Sequence, residues 1–272
     1  MKGLIQYPEK IIDFYYFSGT GNTLLIVKEM VKLFKENKFD ARYYRMEQSD
    51  PSSIDTNHII GLGFPVAAQG TYPFVWQFIK NLPYAHSTPL FMIDTMLMYS
   101  GGVLGPVRKI IRRKGYIPIG AKEFIMPSNV FIRKGMNDKK RVKIYKTLIK
   151  ATEFARRLID GETSWFDLPI YSDLMALISQ SNRNWRFFES LTPIRVDKSK
   201  CNSCGLCEKL CPVNNIKFIK YPEFLNDCIL CMRCFAYCPK EAINFKNYRS
   251  ARYRAVEVDE FLKVGSLVQK YK

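Results

Sequence analysis

The sequence predicts an α/β chain: a doubly wound parallel sheet of five strands, followed by a small α+β unit. Three observations carry this. Apolar runs of strand length alternate with amphipathic stretches of helix length through the first 160 residues, the pattern of a parallel sheet covered on both faces. A glycine-rich turn, Ser18-Gly19-Thr20-Gly21-Asn22-Thr23, stands between the first strand and the first helix. All eight cysteines fall between positions 201 and 238, in two runs of identical spacing.

Residues 10–17 are nearly all apolar or aromatic and read as a buried strand. Residues 22–36 read as a helix, with Leu24, Val27, Val31 and Phe34 on one face. Residues 39–46 alternate as a second strand does, 58–64 form a short apolar third strand, and 74–81 a short helix. A fourth strand is expected over 89–95, a basic helix over 103–114 and a fifth strand over 117–126. A helix over 139–160 closes the domain, with Ile144, Leu148, Ala155 and Ile159 facing inward. Five strands with interleaved helices resemble the flavodoxin-like fold, whose strand order is 2-1-3-4-5.

The turn after the first strand lets backbone N–H groups close around an anion, and the following helix adds the positive end of its dipole. Ser18, Thr20 and Thr23 supply hydroxyls without charge. No lysine follows the last glycine, so this is not a Walker loop, and the spacing is not that of a dinucleotide fingerprint. The turn resembles the flavodoxin phosphate loop, which implies FMN as cofactor, with Ser18, Gly19, Thr20, Gly21, Asn22 and Thr23 around its phosphate. Two later loops leave the carboxyl ends of strands, where open α/β sheets bind ligands. They are Phe64-Pro65-Val66-Ala67 and Tyr99-Ser100-Gly101-Gly102, and the resemblance sets both beside the flavin ring. Relatives often carry an aromatic where this chain has Ala67, so either stacking passes to Tyr72, Tyr99, Met96 or Met98, or the flavin is held weakly.

Each cysteine run reads C-x2-C-x2-C-x3-C-P: Cys201, Cys204, Cys207 and Cys211, then Cys228, Cys231, Cys234 and Cys238. The offset is 27 residues throughout, and Pro212/Pro239, Ile216/Ile243 and Phe218/Phe245 keep it. A fixed offset implies a duplicated unit. A zinc site would use two separated C-x2-C knuckles, and a disulfide framework would need an oxidising compartment. The spacing is that of the bacterial two-cluster ferredoxin, in which the fourth cysteine of each run ligates the other cluster. On that rule Cys201, Cys204, Cys207 and Cys238 hold one [4Fe–4S] cluster, and Cys228, Cys231, Cys234 and Cys211 hold the second.

Taken together, the chain resembles the fused family in which a flavodoxin-like domain precedes a two-[4Fe–4S] ferredoxin. Four segments are expected: 1–160, the FMN-binding domain; 161–194, an aromatic-rich helical connector; 195–248, the ferredoxin domain; and 249–272, a basic tail with a short helix. The connector is expected to hold one helix over 173–190 and to pack across both domains. The resemblance implies electron transfer between clusters and FMN, usually in anaerobes. A second reading is a flavin-dependent reductase of a small-molecule acceptor, fed by the clusters.

The composition, 47% apolar and 25% charged, excludes wholesale disorder. No apolar run is long enough to span a membrane, and no signal-peptide core opens the chain, so a cytoplasmic location is expected. No catalytic residue is assigned: no histidine base accompanies Ser18, and no carboxylate pair stands at hydrolytic spacing. The formal charge is +17. Two clusters and an FMN phosphate, at about −2 each, leave the loaded chain near ~+11. Basic groups concentrate at Arg108–Lys114, at Arg133–Lys143, and at Arg249, Arg252 and Arg254. They favour a redox protein with an acidic docking surface. Nucleic acid lacks a recognisable binding module, and the connector carries too few cations for a membrane-surface helix.

Overall fold

The computed structural model describes residues 3–98, 101–130, 136–165, 171–245 and 251–262. It divides into two compact units. The first comprises Met1–Ser18, Asn22–Pro127 and Lys139–Gln180; the second comprises Gly19–Gly21, Ser128–Asp138 and Ser181–Lys272.

In the first unit, strands β1 (Ile11–Tyr16), β2 (Asp40–Arg45), β3 (Ile59–Pro65), β4 (Pro89–Met96) and β5 (Ile117–Ile125) form one sheet. Its order is β2-β1-β3-β4-β5, and every pairing is parallel. That is the flavodoxin-like arrangement. The helices are α1 (Asn22–Glu36), α2 (Pro73–Lys80), α3 (Leu104–Arg113), α4 (Asp138–Asp160) and α5 (Tyr171–Gln180). The apolar face of α1 is buried from Leu24 to Phe34.

The glycines of β3 answer to packing. Phe14 and Phe91 meet edge to face at 5.0 Å. A Cβ on Gly61 would lie 2.7 Å from the Phe91 ring and 2.8 Å from that of Phe14. A side chain there would displace one of two buried rings. His58 donates from or accepts at Nδ1, 2.7 Å from the buried Asp13 carboxylate, and so belongs to the fold.

The expectations for the last helix of the domain and for the connector need correction. On α4 the buried residues are Thr147, Ala151, Phe154, Ala155, Leu158 and Ile159, while Ile144 and Leu148 are half-buried. Thr147 is the first buried residue of the helix, and its hydroxyl donates to the Ile125 carbonyl at 3.1 Å. The single connector helix is two. Ser181 caps a separate helix, α6 (Asn182–Leu191), accepting the Asn184 N–H at 3.4 Å. The connector does not stand apart. Trp165 is buried and donates to Leu104 O at 3.0 Å, and Trp76 donates to Ser179 of α5 at 3.0 Å. Chain up to Gln180 thereby joins the first unit.

The second unit continues with β6 (Ile194–Val196), α7 (Leu206–Leu210), β7 (Ile216–Phe218), β8 (Pro222–Phe224), α8 (Arg233–Tyr237), β9 (Ile243–Phe245) and α9 (Asp259–Leu262). β6 pairs antiparallel with β9, and β7 with β8. Helices α7 and α8, like strands β7 and β9, are offset by the same 27 residues as the cysteines.

The segment after β9 is not a free basic tail. Arg252 lies over the Phe235 ring at 4.2 Å and donates to the carbonyls of Phe235 and Ile243 and to Asn244 Oδ1. Its side chain is 7% exposed. Arg233, almost fully buried, lies over the Phe261 ring at 4.7 Å. Two of the cations near the chain's end are thus packing elements, their stems and planar heads used against aromatic faces. The expected cluster of Arg249, Arg252 and Arg254 loses Arg252 to the interior, and Arg249 lies outside the described residues.

Candidate functional site

The eight cysteines line two recesses in the second unit. Cys201, Cys204, Cys207 and Cys238 line one, with Phe218, Tyr237 and Ile243 in its wall. Cys211, Cys228, Cys231 and Cys234 line the other, with Phe224 and Phe245; Cys234 borders both. The last cysteine of each run therefore sits with the first three of the other run. Each short helix carries it there in one turn and a half.

Backbone geometry repeats with the cysteines. Ser203 and Leu230 have φ of 57° and 54°, Gly205 and Met232 have 68° and 66°, and Asn214 and Glu241 have 52° and 50°. Left-handed residues at equivalent positions turn the chain so that amides face sulfur. The N–H of Asn215 donates to Cys211 Sγ at 3.2 Å, and the equivalent Ala242 N–H donates to Cys238 Sγ at 3.3 Å. Leu230 donates to Cys228 Sγ at 3.4 Å. Amide donors to sulfur stabilise negative charge there and raise a cluster's potential. Burial pushes the Cys207 thiol up to about 11 and the Cys228 thiol up to about 12, and Cys234 well above the ordinary thiol value. Free thiolates are disfavoured in such apolar walls; coordination to iron supplies the compensating charge. Four sulfurs, an apolar lining and amide donors suit a [4Fe–4S] cluster in each recess.

The glycine turn is almost wholly buried, with Ser18, Thr20 and Thr23 between 1 and 2% exposed. Gly21 has φ of 103°. Gly19 and Gly21 are also required by close approach within the second unit: a Cβ on Gly19 would lie 2.3 Å from the Cys231 carbonyl oxygen, and one on Gly21 2.7 Å from Val256. The Thr20 carbonyl accepts the Ala255 N–H at 2.8 Å. Tyr237 donates to Val256 O at 2.9 Å. The Thr20 hydroxyl, by contrast, is buried with no hydrogen-bond partner among the described residues. Thr23 is paired with the Thr95 hydroxyl at 2.9 Å, and Asn22 donates to Pro127 O at 2.9 Å. The first turn of α1 carries no acidic residue. An orphaned hydroxyl beside a helix N-terminus free of carboxylates fits an anionic group such as the FMN phosphate.

Of the flanking loops, Phe64 is fully buried core, while Pro65, Val66 and Ala67 are half-buried. Ala67 and Gly70 exchange both backbone hydrogen bonds, at 2.9 and 3.0 Å, around Ala68 and Gln69, whose φ values are 50° and 61°. Two positive φ values mark a primed hairpin turn built without glycine at its centre. Gln69 O accepts the Gly102 N–H at 2.7 Å, which ties the two loops together. Gly101 (φ 62°) lies against Gln69; Tyr99 and Ser100 lie outside the described residues. Tyr72 is buried edge-on to Phe17 at 5.2 Å, and Met98 is 76% exposed.

Sequence reasoning overlooked Tyr237, which acts through its phenol, and Gln69, Ala255 and Val256, whose main-chain contacts leave no side-chain signature. It also gave Asp94 no role. Asp94 is fully buried, and neither carboxylate oxygen has a hydrogen-bond partner among the described residues. Burial first, then Glu123, hold its pKa well above the usual carboxylate range.

Comparison with known proteins gave matches to both parts of the chain. Two models described as 4Fe-4S binding domains match residues 194–217 and 225–248. A Methanocaldococcus jannaschii protein, MJ0749, is 34% identical over 61 residues, which is 22% of this chain and 23% of that protein; the match spans under a quarter of the relative's length. Among solved structures, a flavodoxin from the domain Archaea aligns with 54% of this chain and 99% of its own, at 12% identity and a TM-score of 0.37. A Streptococcus pneumonia TIGR4 flavodoxin aligns with 55% and 98%, at 13% identity and 0.43. No helix among the described residues is long and apolar enough to cross a membrane. The chain carries two 4Fe-4S binding domains of ferredoxin spacing behind a five-stranded sheet of flavodoxin-like strand order.

Proposed function

We propose that this chain is an iron–sulfur flavoprotein that relays single electrons through two [4Fe–4S] clusters to FMN and on to a protein redox partner. The observation that carries the reading is the pair of recesses, each lined by the first three cysteines of one run and the last of the other, with Cys234 bordering both. One cluster takes Cys201, Cys204, Cys207 and Cys238, and the second takes Cys228, Cys231, Cys234 and Cys211. FMN, when bound, supplies a two-electron store that one-electron clusters can fill stepwise. The chain's own residues bind and exclude water. The Thr20 hydroxyl and the start of α1 would hold the phosphate, and the hairpin at Ala67–Gly70 with Gly101 and Gly102 would flank the ring. With Tyr72 in the core, a ring held here is stacked by loop residues or not at all. The positive surplus recruits an acidic partner.

The test is composition after anaerobic isolation. The reading expects about eight iron and eight sulfide per chain together with stoichiometric FMN, and bleaching of the flavin band when the clusters are photoreduced. Stoichiometric zinc without sulfide would sink the cluster assignment; full clusters with no retained FMN would sink the flavin half alone.

A further inference from the structure

The loaded protein must exchange electrons with a partner, and the first unit offers that partner one specific face. An open groove runs between α4 and the edge strand β5. Lys122 of β5 and Lys139, Lys143, Lys146 and Lys150 of α4 line it. The four helix lysines are spaced by four, three and four residues, which aligns them on one face. None of the five belongs to an ion pair among the described residues, and Glu123 is the one acidic residue in the lining. The apolar residues beside them are unusually open for a helix packed on a sheet: Val142 is 52% exposed and Ile149 52%.

Position separates this groove from the other basic surface. Its lining includes Met96, the last residue of β4, and Leu104, the first of α3. These bracket the segment holding Gly101 and Gly102, so the groove opens at the carboxyl ends of the strands, where such sheets hold their ligands. Arg112 and Arg113 instead end α3, just before β5 begins at Ile117, at the amino end of the sheet. A partner seated there would be separated from the ligand end by the length of the strands.

We infer that the α4–β5 groove is the docking surface for an acidic redox protein, and that the Arg112/Arg113 end of α3 is not. The inference rests on the function proposed above and adds to it the place and the chemistry of the partner's contact. Carboxylates on a convex acidic surface meet unpaired lysines, and the exposed Val142 and Ile149 give the encounter an apolar margin.

Two measurements test it. Reductive methylation of the anaerobically isolated protein, read by mass spectrometry with and without poly-L-glutamate, reports binding without requiring any cofactor to be active. Lys139, Lys143, Lys146 and Lys150 should be protected at least fivefold more than Lys35 and Lys38, and high salt should abolish the difference. Uniform protection, protection centred on Lys109, or stronger protection by a single-stranded oligonucleotide at equal charge would overturn the inference. Stopped-flow electron exchange with an acidic [2Fe–2S] ferredoxin is the second. Lys143→Glu/Lys146→Glu/Lys150→Glu should slow it at least tenfold at low salt, with iron, sulfide and FMN content unchanged. Arg112→Glu/Arg113→Glu should leave it within twofold. The reverse ranking, or indifference to both reversals, contradicts the proposal. Failure of the composition test above, with the footprint intact, would instead count against the redox reading.

Discussion

At the scale of single residues, two of the buried polar groups without a hydrogen-bond partner among the described residues, Thr20 and Asp94, lead to opposite expectations. Thr20 keeps a buried hydroxyl without a partner, a cost of about 1–3 kcal/mol unless a ligand satisfies it. Thr20→Val should therefore weaken FMN binding roughly ten- to hundredfold, while the unfolding temperature of the flavin-free protein stays the same or rises. A variant that destabilises the protein without moving the FMN affinity would make Thr20 structural. Asp94 is the second. Its folded-state pKa is raised, so whatever stability it contributes is present below its ordinary value of 3.8 and is lost as pH rises above that. Asp94→Asn should accordingly be more stable than the parent at neutral pH. The gap should widen by at most about 1.4 kcal/mol per pH unit until Asp94 ionises. Thermal scans across pH 5–8 measure this, and a gap independent of pH would mean that the carboxylate finds a partner.

At the scale of elements, what was legible followed from periodicity. The five strands and α1 to α4 stand out because apolar spacing of two or 3.6 residues, bounded by glycine and proline, survives any tertiary context. The cysteine runs were legible for a stronger reason: ligand spacing is fixed by the size of the group bound. Three things were not legible. The break between α5 and α6 lies at Ser181, with no proline or glycine to mark it, and only the capping bond to Asn184 reveals it. The approach of Ala255 and Val256 to the glycine turn is a main-chain contact, which any residue type allows. Arg252 read as surface charge because its burial depends on Phe235 and on carbonyls brought to it by the fold. Arg252→Met keeps the stem and leaves those acceptors unsatisfied, at about 2–4 kcal/mol in total. On heating, cluster absorbance should bleach at a clearly lower temperature than in the parent, whereas Arg254→Met, at an exposed position, should change it little. Equal behaviour of the two variants would return Arg252 to the surface.

At the scale of the whole molecule, the chain joins two units with different means of holding charge. The first unit carries a helix start without carboxylates and a face of lysines outside any ion pair among the described residues; the second holds the Thr20 hydroxyl and buries thiols whose charge a metal ion would stabilise. The central claim is that the two halves of the duplication share their fourth ligands. Alkylation mapping tests it most directly: the anaerobic Cys211→Ser protein is treated with iodoacetamide, and each cysteine is scored by mass spectrometry. The account predicts that Cys228, Cys231 and Cys234 become reactive while Cys201, Cys204, Cys207 and Cys238 stay protected, with the mirror result for Cys238→Ser. Reactivity at Cys201, Cys204 and Cys207 in the Cys211→Ser protein, with the second run protected, would contradict it.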